Sequence, residues 1–170
     1  MAKIAVLITD MFEDSEYAKP ARAFCRAGHT LVHVGPRAEA TVTGKQQEIA
    51  VDVDVASKDV TVGDFDALFI PGGYSPDKLR VCKSCLDLTR GFMQDGKPVF
   101  TICHAPQVLI TANVIRGRRI TGCESIVQDL KNAGADYVDN AVVVDGNLVS
   151  SRHPGDLAVF IETCLSKLSQ

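Results

Sequence analysis

The sequence predicts an α/β sandwich: a mostly parallel sheet with helices on both faces. Three observations carry this. The runs at 3–9, 67–70 and 98–102 are predominantly apolar with no polar–apolar alternation, as strands buried on both faces are. Helical patterns stand between those runs, the order a parallel sheet requires. Turn residues such as Gly35-Pro36 and Pro71-Gly72-Gly73 close the strands.

The elements follow in order. Residues 3–9 form the first buried strand. After the acidic turn 10–14, Ser15 caps a helix that turns Tyr17, Ala18, Ala21, Phe24 and Cys25 inward and ends at Gly28. Residues 30–34 are a second strand. The polar, β-branched, alternating stretch 41–62 reads as short strands and hairpin turns. The strand 67–70 runs into Pro71-Gly72-Gly73, and a helix over 83–94 closes at Asp95-Gly96. A strand at 98–102 and a short helix at 106–112 follow, then a helix within 122–133 ended by Gly134. Strands 142–144 and 148–150 pair through the turn Asp145-Gly146-Asn147. An amphipathic helix over 156–168 completes the chain.

With 170 residues, 46% of them hydrophobic, the chain has room for one core, so 1–170 is read as a single domain. A net charge of −3 from 18 Lys+Arg and 21 Asp+Glu lacks the basic excess of a nucleic-acid binder. No apolar run reaches the roughly 20 residues of a membrane span, and the first residues hold too short an apolar stretch for a secretory leader. A cytoplasmic location is expected. Six cysteines spread over periodic apolar segments read as free thiols in a reducing compartment rather than a disulfide framework.

The most informative stretch is 97–110, KPVFTICHAPQVLI. A buried strand ends at Ile102, Cys103 follows at once, and a helix begins within a few residues. This is the context of a nucleophile elbow, with sulfur in place of a serine oxygen. Such a turn lifts the nucleophile above the sheet edge, holds it at positive φ, and aims free helix N–H groups at it. The expectation is that Cys103 is the most acidic of the six thiols, because a thiolate is the attacking species. His104 is placed to act as general base and then acid. Gly73 closes another strand at the same rim, where its N–H and that of residue 104 can form an oxyanion hole, with Gly72 beside it.

The segments FEDSE (12–16), IPGG (70–73), KPVFTICHAPQVLI (97–110) and VVVDGNLVSSRHPGDL (142–157) together resemble the ThiJ/PfpI superfamily, and within it the PfpI-type branch of intracellular proteases and stress-protein deglycases. The resemblance spans essentially the whole chain. It implies a flavodoxin-like three-layer sandwich related to class I glutamine amidotransferase domains, assembled as dimers or hexamers. It also implies that Cys103 is the reactive cysteine and His104 its partner. Glu16 matches a carboxylic acid that hydrogen-bonds the sulfur when protonated, and Glu13 a second acid near the pocket. Asp77 matches the acid a neighbouring subunit lends to the histidine. Three positions depart from the pattern: Ala105 stands where glycine is common, Asp77 is shorter than the usual glutamate, and Cys123 replaces an overhanging tyrosine or histidine. A thiol at 123 is a candidate to resolve an oxidised Cys103.

The remaining motifs carry less. Cys82-Lys-Ser-Cys85 has CxxC spacing but no second ligand pair for zinc, and one of the two is expected to face the interior. His29 and His33 read as surface or half-buried, and His153 as a border of the pocket. No glycine-rich phosphate loop is present, so neither metal nor nucleotide cofactor is expected. The resemblance implies a cysteine hydrolase acting on small carbonyl compounds or glycated protein side chains, with peptides as an alternative substrate. A rival of another class is a redox-sensing or chaperone-like stress protein that works by oxidation of Cys103.

Overall fold

A computed structural model describes residues 1–170. In chain order the elements are β1 (Lys3–Leu7), α1 (Asp14–Arg26), β2 (Thr30–Gly35), β3 (Thr41–Thr43), β4 (Ala50–Asp52), β5 (Val55–Ala56), β6 (Ala67–Ile70), α2 (Ser75–Leu79) and α3 (Lys83–Gln94). There follow β7 (Val99–Ile102), α4 (Pro106–Ala112), β8 (Arg119–Ile120), α5 (Val127–Asn132), β9 (Asp136–Tyr137), β10 (Val142–Asp145), β11 (Leu148–Ser151) and α6 (Leu157–Leu168). Seven strands form the central sheet in the order β10-β11-β7-β6-β1-β2-β5. Only the β10–β11 pair is antiparallel; the other pairs are parallel. This is a flavodoxin-like α/β sandwich.

Strand alternation explains why the apolar runs are continuous. In β1, Ala5 and Leu7 point to one face and pack with Leu68, Ile70, Leu88, Phe92, Val108 and Leu109. Ile4 and Val6 point to the other and pack with Phe24, Phe69, Phe100 and Phe160. Helices cover both layers, so the central strands are almost wholly apolar, with Thr101 in β7 and Ser150 and Ser151 in β11 as buried polar positions. Phe69 stands between Phe24 at 5.7 Å and Phe160 at 6.4 Å between ring centroids. Deleting such a fully buried ring costs about 3–5 kcal/mol. No helix is long and apolar enough to cross a membrane.

Three local expectations are corrected. The first helix begins at Asp14 with Glu13 as its N-cap, not at Ser15. Asp14 is nearly fully buried, and its carboxylate accepts the N–H groups of Gln46, Glu48 and Ile49. Cys25 is exposed, because Ala21 and Phe24 define the buried stripe and residue 25 lies a further 100° or so around the helix. The helix expected within 122–133 shrinks to a 3₁₀ turn at Glu124–Ile126 followed by α5. Gly122 and Cys123 stay outside it, because the Cys123 N–H donates to the Cys103 carbonyl at 2.9 Å. His29 and His33, half-buried as expected but with no partner identifiable from sequence, both have one: His29 Nδ1 accepts the Ala2 N–H, and His33 meets Tyr17 and Asp54.

Candidate active site

The chain turns sharply after β7. Cys103 has φ +61, the left-handed region that costs a β-carbon residue about 1–2 kcal/mol, and three bonds hold it there. Its N–H donates to Ser151 O at 3.0 Å, its carbonyl accepts from Cys123, and the Ala105 N–H closes the turn onto Ile102 O at 3.0 Å. Ala105, fully buried, is the N-cap of α4, and Pro106 opens that helix without a donor to waste. The elbow expected from the sequence is present.

It brings the sulfur to His104. Cys103 Sγ lies 3.3 Å from Nδ1 of that ring, while Nε2 lies 3.0 Å from Ser125 Oγ. Ser125 Oγ in turn is 3.2 Å from Cys123 Sγ. For Nδ1 to take a proton from Cys103, the ring must carry its hydrogen on Nε2, which then donates to Ser125; Ser125 turns its own proton to Cys123. Burial and the Lys45 ammonium hold the imidazole below its ordinary pKa against an opposing pull from Asp77. The ring is therefore neutral at pH 7 and free to act as a base.

Glu16 sits on the first turn of α1, wholly buried. Burial pushes its carboxyl up to about 7, with the Glu13 charge adding to the rise, while the Cys103 side chain and the Gly72 backbone oppose it. Neither carboxyl oxygen has a hydrogen-bond partner of good geometry at rest. A group so placed costs about 1–3 kcal/mol, which marks it as waiting for a partner. Gly72 makes the arrangement possible: a Cβ there would overlap Glu16 Oε2 and lie 2.8 Å from Cys103 Cβ. At Gly73, φ +79, a Cβ would overlap the Glu13 N–H. No acceptor of this chain takes up the N–H of Gly73 or of His104.

The expected acidity of Cys103 is corrected. Burial and the facing Glu16 carboxylate push its thiol up, and α4, only seven residues long, offers a short dipole. The thiol held below its ordinary value is Cys82 instead. Deprotonation of Cys103 must therefore accompany its reaction, with the proton passing to Nδ1.

Of the other expected residues, Glu13 is tied to Lys45 by an ion pair at 2.8 Å and so touches the site through that cation. Asp77 is exposed on α2 and faces His104 by charge alone. His153 lines a cavity of about 320 Å³ with Gly122, Tyr137 and Arg152, apart from the sulfur. Cys103, His104 and Cys123 each place a ligand atom within 4.8 Å of the other two, a donor set suited to a soft, thiophilic cation.

Sequence reasoning missed Lys45, Tyr74 and Ser125. Lys45 lies in the β3–β4 turn that Asp14 pins, 5.7 Å above the Tyr74 ring, and Tyr74 stands 6.5 Å from the His104 ring. No local signal in the sequence marks them: Lys45 is placed by Asp14, which holds the β3–β4 turn against the start of α1 and leaves no room for a Cβ at Gly44.

These features have counterparts among known proteins. The chain is 51% identical over 167 residues to the Escherichia coli protein named protein/nucleic acid deglycase 2, covering 98% of this chain and 97% of that one. It is 50% identical over 169 residues to general stress protein 18 of Bacillus subtilis, covering 99% and 98%. It superimposes with TM-score 0.97 at 41% identity on a two-domain Anabaena variabilis protein with DJ-1/ThiJ/PfpI-like and ferritin-like domains, covering 99% of this chain and 48% of that one. Residues 2–167 match the DJ-1/PfpI family, and with a relative at that identity over nearly its full length, the chain belongs to that family.

Proposed function

We propose that this chain is a cysteine hydrolase of the PfpI type, a deglycase that acts on methylglyoxal or glyoxal adducts of protein side chains or on the small carbonyl compounds themselves. The observation that carries this reading is the Cys103 sulfur, lifted on a positive-φ elbow to 3.3 Å from Nδ1 of a neutral imidazole. Cys103 Sγ attacks the adduct carbon bonded to the side-chain nitrogen as its proton passes to His104 Nδ1, and the amine leaves with that proton. Charge developing on the adduct's oxygens meets the free N–H groups of Gly73 and His104. Glu16, protonated below about pH 7, donates a hydrogen bond to the sulfur as it gains negative charge. The hemithioacetal so formed moves a proton from its sulfur-bearing carbon to the neighbouring carbonyl carbon, giving a 2-hydroxyacyl thioester, and water hydrolyses this to the 2-hydroxy acid and the free thiol.

Two further points belong to this reading. Five surface cavities are lined by residues other than Cys103 and His104, and a small pocket shared between subunits suits a three-carbon adduct better than an extended peptide. A neighbouring subunit, in a dimer or hexamer, supplies the missing wall and sets its Asp77 on His104. Specific activity should then fall on dilution as subunits part; a monomer with full activity refutes the shared site. A net charge of −3 offers no grip on a phosphate backbone, so glycated side chains are the substrates proposed.

Assaying the wild type on glycated N-acetyl-arginine, methylglyoxal and a fluorogenic peptide tests the assignment. Release of unmodified N-acetyl-arginine with little peptide cleavage is expected. Peptide cleavage as the dominant activity would make the chain a peptidase instead.

A further inference from the structure

Cys82 and Cys85 lie outside the machinery described so far, and neither shares a hydrogen-bond partner with Cys103. Read from sequence, this CxxC seemed a helix pair with one residue packed inward, and Cys85 is indeed fully buried. The structure adds what spacing did not show. Cys82 is the N-cap of the twelve-residue α3, with φ −93 and ψ +109, outside the helical region and only partly buried. Cys85 follows in the first turn.

A single hydroxyl joins the two sulfurs. Ser57 Oγ lies 3.8 Å from Cys82 Sγ and accepts from Cys85 Sγ at 3.3 Å. Ser84 Oγ lies 3.4 Å from Cys82 Sγ and 2.6 Å from Ser57 Oγ. The thiols are unequal as a result. Burial alone would raise Cys82, but the Ser84 hydroxyl, the Cys85 thiol and N–H, and Ser57 outweigh it and hold Cys82 below its ordinary value. Burial drives Cys85 up to about 12. A partly exposed, activated thiol at a helix N-terminus with a buried partner one turn on is the arrangement that dithiol exchange uses. The Cys85 thiol and N–H both reach the Cys82 sulfur, and because Cys82 stands outside the helix its backbone is free to make the small shift that closes the Cβ atoms to the roughly 4 Å of a disulfide. No third metal-ligating side chain joins the pair; the one such cluster in the chain is that at Cys103.

A cavity of about 410 Å³ opens beside this network, lined by Ser57, Ser84, Thr61, Asp87 and Lys58. Asp87 is paired with Lys83 and Arg90, whereas Lys58 makes no ion pair. The lining thus offers an unpaired cation and several hydroxyls.

We propose that Cys82 and Cys85 form a second reactive site, a thiol–disulfide exchange centre for small, acidic, low-molecular-weight disulfides. The Cys82 thiolate attacks one sulfur of the disulfide, forming a mixed disulfide and expelling one thiolate. Cys85 gives up its proton to that leaving group and attacks Cys82 Sγ, expelling the second thiolate, which takes a proton from water. Two electrons pass from the dithiol to the disulfide: protein dithiol plus disulfide gives protein disulfide plus two thiols. Excess small thiol runs the same steps backward and resets the site.

The test uses the full chain with glutathione disulfide as probe, followed by peptide mass mapping without reduction. Wild type should acquire a Cys82–Cys85 disulfide and no lasting glutathione at either position. Cys85→Ser should stop at a glutathione adduct on Cys82, and Cys82→Ser should lose both products. Lys58→Ala should slow the first step several-fold. Wild type in which Cys82 and Cys85 stay free while Cys25 or Cys103 is modified would overturn the proposal. So would a mixed disulfide on Cys82 that persists in wild type, since Cys85 would then not resolve it. Should Cys85→Ser fail to fold, the wild-type map decides alone. Deglycation plays no part in the readout, so this proposal and the function assigned to Cys103 stand or fall separately.

Discussion

Replacing Glu16 with glutamine should make the protein more stable at alkaline pH and flatten its pH dependence. Burial moves the carboxyl from its ordinary 4.5 to about 7. Between those values the folded state holds a proton that the unfolded chain has lost, so stability falls as pH rises through the window. At about 1.4 kcal/mol per pH unit, the full cost of the ionised carboxylate is about 3 kcal/mol, most of it incurred between pH 5 and 7.5. Glutamine has nearly the same shape and no charge to lose. The assay is urea unfolding across that range for Cys103→Ser and for Cys103→Ser with Glu16→Gln; the serine removes the coupled thiol from both. His104, held below its ordinary value by burial and Lys45, is present in both proteins, so the difference isolates Glu16. The difference in stability should grow with pH by about 2–3 kcal/mol. Parallel curves would mean that Glu16 is ionised and solvated in the folded state, and the protonated-acid role would fall with them.

Three further outcomes follow from the site. Lys45→Met removes the cation that disfavours imidazolium at His104, so the acid limb of the pH–rate profile should move to higher pH; an unmoved limb would show that Lys45 does not reach the ring. Ser125→Ala leaves Nε2 without its partner and should lower kcat about fivefold, the worth of about 1 kcal/mol of hydrogen bond, with KM little changed; an unchanged kcat would make Ser125 a bystander. Cys123 Sγ lies within 4.8 Å of Cys103 Sγ, so hydrogen peroxide should yield a Cys103–Cys123 disulfide in wild type, and Cys123→Ala should accumulate sulfinate at Cys103 faster. Equal rates of over-oxidation would leave Cys123 as packing.

The sheet was readable because burial on both faces writes an apolar run that no other element needs, as at Ala67–Ile70 and Val99–Ile102. The elbow was readable because strand, cysteine and helix start fall within a few residues, so local sequence alone forces the turn. Long-range contacts left no such trace. Ser125 reaches His104 across 21 positions, and Lys45 meets Glu13 because Asp14 holds the β3–β4 turn against α1. The start of α1 was blurred because Asp14 serves a loop and not its own helix, whereas α3, free of such a contact, was read as 83–94 and stands at Lys83–Gln94. The acidity of Cys103 was misjudged because a helix N-terminus is visible in sequence and the desolvation around a sulfur is not.

The central claim is that Cys103 is the nucleophile, and Cys103→Ser tests it most directly. The variant keeps the elbow and the His104 contact, and its hydroxyl is far less acidic than a thiol. Incubated with glycated N-acetyl-arginine beside wild type, it should release N-acetyl-arginine no faster than buffer while remaining folded by circular dichroism. Release at a rate near that of wild type would contradict the account and move the chemistry to another residue.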